Sequence, residues 1–273
     1  MSSSPEARRP GADLTFVQRD GRTVLAHSHV TAPMTFIRPF PLPDGRQLVP
    51  LITLGPGLCG GDRVHIRIAA DAGAGVVVTT TAATRVLSMH AGAHAEQHVE
   101  IVAGRGATIE YYPAVTIPFP ESAFTQTVTV RAETGARVGV METWALGRTA
   151  RDEYLEFGSL SNRTTLLVDG VLAYADATEF HPAHDALAGA GALAGRRYLA
   201  NGFWYDVTIA DERGDGASRE DVLIALAQSR PGIGYLRALA SDAPALDAAL
   251  RRATGTIASA WGIAPVSLDR FRC

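Results

Sequence analysis

The sequence predicts a mainly β protein: a layered, solenoid-like stack of strand–turn–strand units with a small α-helical C-terminal part. Three observations carry that expectation. Gly73-Ala74, Gly106-Ala107 and Gly135-Ala136 recur 33 and 29 residues apart, each after a β-branched, alternating run. Asp20-Gly21 and Asp169-Gly170 each divide a pair of alternating segments, and both central residues of a type I′ hairpin turn need φ > 0. Near the C-terminus the apolar spacing changes from two to steps of three and four.

Taken in order, residues 1–13 are rich in Ser, Pro and Arg and read as a mobile N-terminal tail. The β domain is expected over 14–210. Leu14-Thr-Phe-Val-Gln and Thr23-Val-Leu-Ala-His form its first hairpin, and Thr164-Thr-Leu-Leu-Val with Val171-Leu-Ala-Tyr forms its last. Between them Val64-His-Ile-Arg-Ile turns into Val76-Val-Val-Thr-Thr. His98-Val-Glu-Ile-Val turns into Thr108-Ile-Glu-Tyr-Tyr, and Thr127-Val-Thr-Val-Arg into Arg137-Val-Gly-Val-Met. Units of this kind stack because each covers its neighbour's apolar face. The polar stretch Asp211–Ala217 reads as a linker or exposed turn. Ser218-Arg-Glu-Asp221 then reads as a capping box opening a helix over Val222-Leu-Ile-Ala-Leu-Ala, which Pro231-Gly232 ends. A second helix follows Ser241-Asp242, with Leu246, Leu250, Ala253, Ile257 and Trp261 on one face. The segment 211–273 is therefore expected to be helical and packed on the β domain.

Composition removes several functions. With 25 basic and 28 acidic residues the formal charge is −3, so no net positive field exists to hold nucleic acid. Every basic residue is Arg, which excludes a P-loop lysine, a Schiff-base lysine and a β-lactamase-type lysine together. The 47% hydrophobic and 19% charged content excludes a wholly disordered chain. Cys59 and Cys273 are too few for a disulfide framework or a cysteine-built zinc site. No apolar run approaches a membrane span, and Arg8 and Arg9 lead into no apolar segment, so a soluble, cytoplasmic protein without a membrane partner is expected.

The local motifs that suggest chemistry each have a plain structural reading. Gly55, Gly57 and Gly60 fit G-x-G-x-x-G, but Asp62 leads straight into the alternating strand Val64–Ile68, where a dinucleotide fingerprint must open a helix. His90, His94 and His98 are spaced by four and offer three imidazoles to a zinc or nickel ion; the alternative is a polar loop with exposed rings. His27 with His29, and His181 with His184, are pairs without specificity. Ser88 lies near His90, yet no G-x-S-x-G elbow is present. Glu142, Asp152, Glu153 and Asp176 offer acid–base pairs for glycoside chemistry if the fold brings two together. Tyr111–Pro120, with three prolines and large apolar side chains, reads either as a loop buried between layers or as an interface.

Several of these pieces, read together, resemble the urease accessory protein D family, called H in some organisms. The resemblance begins at Pro39-Phe40 and runs through Gly57-Leu-Cys-Gly-Gly-Asp62 and Thr79-Thr-Thr-Ala-Ala-Thr-Arg-Val86. It continues through Glu110-Tyr-Tyr-Pro113, Ile117-Pro-Phe119, Glu142-Thr-Trp-Ala-Leu-Gly-Arg148, Ala150-Arg-Asp-Glu153 and Gly170–Asp176. The pieces span roughly residues 36 to 180 in family order. The sequence departs from the family at Pro56, Thr81 and Arg85.

The resemblance implies a non-catalytic scaffold that binds apo-urease and the F-type and G-type accessory proteins, the latter a GTPase, and helps deliver nickel. It implies a passage for a transient nickel ion through the β body, with no tightly bound cofactor. Nickel in transit needs ligands that hold it weakly and in series, as oxygen donors do. Asp62, Thr79, Thr80, Glu142 and Asp176 are the matched residues with such donors, each equally readable as a turn cap or a satisfied strand hydroxyl. Gly57, Gly60, Gly61, Arg85, Gly147 and Arg148 are expected to brace the structure, the arginines by holding carboxylates. Two rival classes stand beside this one: a free-standing metal module built on His90, His94 and His98, and a β-structured hydrolase of a carbohydrate or ester.

Overall fold

In a computed structural model that describes residues 11–210, 212–213 and 221–271, the chain is a β-solenoid of about four turns with one C-terminal helix. In chain order the strands begin with β1 (Gly11–Arg19), β2 (Arg22–Thr31), β3 (Met34–Phe36), β4 (Phe40–Pro41), β5 (Gln47–Thr53) and β6 (Arg63–Ala70). Next come β7 (Gly75–Thr81), β8 (Thr84–Val86), β9 (Ala95–Ala103), β10 (Thr108–Tyr111), β11 (Thr116–Pro118), β12 (Ala123–Ala132) and β13 (Arg137–Ala145). The last are β14 (Ser159–Val168), β15 (Val171–Phe180), β16 (Tyr198–Tyr205), β17 (Glu212–Arg213), β18 (Val222–Arg230) and β19 (Ile233–Ala240), followed by α1 (Ala243–Trp261).

Two sheets face each other. The first has the order β15-β14-β12-β9-β6-β1-β2; the second follows β17-β18-β19-β16-β13-β10-β7-β5-β3. The inner ladders are parallel, β6-β9-β12-β14 in one sheet and β5-β7-β10-β13 in the other. Each Gly-Ala turn carries the chain from the first sheet to the second, as its repetition predicts. Gly106 adopts φ 69°, where a side chain is strained, and its N–H donates to Gly135 O at 3.1 Å in the next coil. Ala74, Ala107 and Ala136 are fully buried beneath these turns. Both Asp-Gly pairs form the expected hairpins, β1-β2 and β14-β15, and these antiparallel pairs cap the parallel ladder at its two ends.

Two departures from the sequence reading concern the chain ends. Residues 11–13, expected in the mobile tail, belong to β1, where Gly11–Phe16 pairs in parallel with β6; residues 1–10 lie outside the described residues. The segment 211–273, expected to be helical, holds one helix among its described residues. Val222–Arg230 is a strand joined to β19 by the Pro231-Gly232 turn, and Glu212–Arg213 pairs with it. A short apolar run does not distinguish helix from strand by periodicity. Here β19 offers a pairing edge, and the ladder decides. Of the linker and the capping box, Asp211, Gly214–Ala217 and Ser218–Glu220 lie outside the described residues.

The second helix forms as expected. Asp242 caps it by accepting from Ala245 N at 2.9 Å, and Gly262 ends it in a left-handed conformation. Its buried face, Leu246, Leu250, Ala253, Ile257 and Trp261, covers the outer side of the second sheet against Val77, Met141, Trp204 and Leu236. Arg137 donates to Trp261 O at 2.8 Å, holding the helix end.

Beneath the C-terminal segment lies a buried ion pair. Arg46 and Glu110 are 5% and 4% exposed and bond directly; Arg46 also donates to Asp44 at 2.8 Å and to Ala264 O. Burial raises the Glu110 carboxyl above its ordinary range, against the pull of Arg46. Removing one partner of such a pair leaves an uncompensated charge. Arg46→Met should therefore cost about 3–5 kcal/mol in urea unfolding. Arg46→Met with Glu110→Gln should recover a substantial part of that loss, and equal losses for the single and double variants would refute this account.

Candidate functional site

Among the described residues, the buried amide and carboxyl side chains between the two sheets are gathered in one band. On the first sheet Gln97, Gln126, Asn162 and Thr178 stand in register on β9, β12, β14 and β15, all facing inward. Gln97 donates to Gln126 at 2.9 Å, and Gln126 donates to Asn162 at 3.3 Å. Val64 occupies the same register position on β6 and ends the row. Facing them on the second sheet are Glu142, Asn201 and Arg237, in register on β13, β16 and β19. Apolar rows bound the band, with Ala95, Phe124, Leu160 and Phe180 on one side and Ile68, Ile101, Val130 and Leu166 on the other.

Glu142 bridges the two sheets. It is 4% exposed and accepts from Gln126, from Asn162 Nδ2 at 2.8 Å and from Thr164 Oγ1 at 3.4 Å. Burial pushes its carboxyl up to about 7, although these donors and the neighbouring charge of Asp176 act in opposite senses, the donors lowering it and Asp176 raising it. Next to it the Tyr111 hydroxyl is fully buried, without a hydrogen-bond partner among the described residues, and its pKa is raised by burial and by the charge of Glu142. Trp144 Nε1 and Asn201 Oδ1 are likewise buried and unsatisfied. Toward β15 and β19 the band reaches solvent: Asn201 donates to Thr178 at 3.1 Å, and Arg237 pairs with Asp176 across the gap between the sheets. The arrangement can hold a buried carboxylate in either protonation state, surrounded by oxygen and amide groups.

The remaining matched residues lie elsewhere. Asp62 closes its own turn by accepting from Cys59 N at 2.7 Å. Thr79 donates to Tyr112 O at 2.8 Å and Thr80 accepts from Ala114 N at 2.9 Å, so both hydroxyls pin the Tyr111–Pro120 segment. That segment is built into the second sheet, with Tyr111 inside the β body, Tyr112 beneath α1 and β11 pairing with β8 and β13. Gly57, at φ 148°, lies so close to Arg85 that an added Cβ would fall 2.5 Å from its carbonyl oxygen. Gly60 and Gly61 complete that turn, in which Leu58 N donates to Arg85 O and Gly61 N to His94 O, and the strand β6 follows it. The Arg85 side chain is exposed and pairs with no carboxylate among the described residues. Arg148 does hold one: it forks onto Glu153, lies 4.3 Å over the Phe119 ring, and follows Gly147, whose φ of 135° brings the Glu153 carbonyl close.

The three histidines spaced by four do not converge. His90 is exposed in a loop, while His94 and His98 bond the same carboxylate, Glu96, at 2.8 and 3.2 Å. His98 also stacks on His65 with ring centroids 4.8 Å apart. Among the described residues no group of three or more His, Cys, Asp or Glu is arranged to hold a metal ion.

Of the residues singled out from the sequence, Glu142 and Asp176 fall in the band; Gln97, Gln126, Asn162, Thr164, Thr178, Asn201 and Arg237 join them there from the structure alone. A signal existed for two of them. Val64, Gln97 and Gln126 each stand nine residues before a turn glycine, so a polar side chain recurs at an inward position of the repeat. The contribution of β16 and β19 had no such signal.

The buried carboxyl has a consequence for stability. Its folded value of about 7 exceeds the ordinary 4.5, so between these limits the folded chain binds more protons than the unfolded one. Stability from this group is full below pH 4.5 and is lost as pH rises through 7, by about 3 kcal/mol in all. Glu142→Gln should remove most of that contribution to the difference in unfolding free energy between pH 4.5 and pH 8. An unchanged difference in urea melts would show that the carboxyl is not so perturbed.

The family model described as UreD urease accessory protein matches residues 9–273. The urease accessory protein UreD of Deinococcus radiodurans is 33% identical over 274 residues, covering 99% of this chain and 98% of that protein. Urease accessory protein UreD 1 of Synechococcus sp. (strain JA-3-3Ab) is 39% identical over 193 residues, covering 70% of this chain and 72% of its own. The match extends through β18, β19 and α1, beyond the motifs that carry the resemblance in the sequence. The chain belongs to the UreD family of urease accessory proteins, which are non-catalytic.

Proposed function

We propose that this chain acts as a scaffold on apo-urease, together with the F-type and G-type accessory proteins, and that the polar band conducts nickel through its β body toward the urease active site. The observation that carries this reading is Glu142: a carboxylate placed in the middle of an apolar interior, at an energetic cost, and reached from solvent by a row of oxygen and amide groups. Oxygen and amide donors bind a borderline divalent ion more weakly than imidazole or thiolate sets, which suits an ion that must be released. The ion is cargo. Asp176 and Thr178 would meet it at the outer end and Glu142 at the inner end, while the flanking apolar rows confine it to one path.

The chain is read as working in the cytoplasm, where urease is assembled; no helix among the described residues is long and apolar enough to cross a membrane. The outer surface of the first sheet and the exposed side of α1, not the band, are left to the protein partners.

The test is co-expression of the tagged chain with its own organism's urease subunits and the two accessory proteins. Urease in the purified complex should gain nickel-dependent activity only when this chain is present. Glu142→Gln, which keeps shape and removes the charge, should still co-purify but lower activation at least about tenfold, the loss of one charge-assisted ligand. Equal activation without the chain, or with Glu142→Gln, refutes conduction through the band.

A further inference from the structure

The band does not open freely to solvent. At its outer end Arg237 on β19 reaches across to Asp176 on β15, bonds it directly, and lies 3.5 Å from Thr178 Oγ1. The pair joins β15, the edge strand of the first sheet, to β19 of the second: the Asp176 side chain is 18% exposed and that of Arg237 41%. Through the register Glu142–Asn201–Arg237, the two residues stand two strand spacings apart, roughly 10 Å between their backbones. The residues that line the band between them, Asn162, Thr178 and Asn201, are uncharged.

We propose that Arg237 is a gate: paired with Asp176 it bars divalent cations from the band, and its displacement exposes Asp176 as the entry ligand. This rests on the reading of the band as a cation path. A fixed positive charge at the mouth repels a doubly charged ion, and it also occupies the Asp176 carboxylate at the entrance. The long arginine stem lets the head swing outward to water without disturbing the strand that bears it.

The gate is tested by nickel binding to the purified full chain, measured by equilibrium dialysis with Ni²⁺ alone at pH 7.5. Arg237→Gln should bind Ni²⁺ at least about tenfold more tightly than the wild type, as expected for removing a like charge near the path. Arg237→Lys should match the wild type, and Glu142→Gln added to Arg237→Gln should abolish the gain. Asp176→Asn breaks the same pair but keeps the cation, so it should show no gain. Unchanged affinity in Arg237→Gln, a gain that survives Glu142→Gln, or an equal gain in Asp176→Asn overturns the gate. The last result would mean that loosening the edge, not removing the charge, admits the ion. Failure of conduction itself is read separately, as normal urease activation by Glu142→Gln.

Discussion

The interior of this protein is organised around one costly act, the burial of the Glu142 carboxyl. A carboxylate taken out of water must be neutralised or given hydrogen bonds, and here the donors come from side chains on other strands. Gln126 and Asn162 reach it from adjacent coils of the opposite sheet, and Gln97 supports Gln126 from the coil before. An amide that donates to Glu142 still has an oxygen to satisfy, so the polar requirement runs along the first sheet: Asn162 accepts from Gln126, and Gln126 from Gln97.

Such a band is tolerable only because the parallel ladders hold register. A slip by one residue would turn Gln97, Gln126 and Asn162 out to solvent and bring charged outer-face residues such as Glu96 inward. The apolar rows on either side, with Phe124 packed against Trp144 at 6.0 Å between ring centroids, make that slip expensive. The hairpins at the ends and the helix over the second sheet complete the enclosure. The helix and the C-terminal segment are in turn fixed by polar contacts from the sheet, from Arg137 to Trp261 O and from Arg46 to Ala264 O. The same coils that make a stable core therefore position the polar groups.

Much of the fold was legible because it is local. The repeated Gly-Ala turns, the two Asp-Gly hairpins and the three-and-four spacing of α1 each follow from backbone chemistry within a few residues. The failure at Val222–Arg230 has the same logic: a nine-residue apolar segment has no decisive period of its own, and the pairing edge of β19 settled it. The Gly55–Asp62 turn shows the converse, since its glycines mimic a dinucleotide motif while the strand that follows excludes one. The site was less legible. Glu142 and Asp176 stood out through the family resemblance, but Asp62, Thr79 and Thr80, singled out on the same ground, are engaged in a turn and in backbone bonds.

By itself the sequence determined the β-solenoid class, its turns, its terminal hairpins, the C-terminal helix and the absence of lysine chemistry, because each depends on short-range preference or composition. Only the tertiary structure decided that Glu142 is buried, that residues as distant as Gln97 and Arg237 belong to one band, and that the three spaced histidines do not converge. The physical reason is that strand registry across two facing sheets brings together side chains separated by up to 140 positions in the chain, and no local preference encodes which ones.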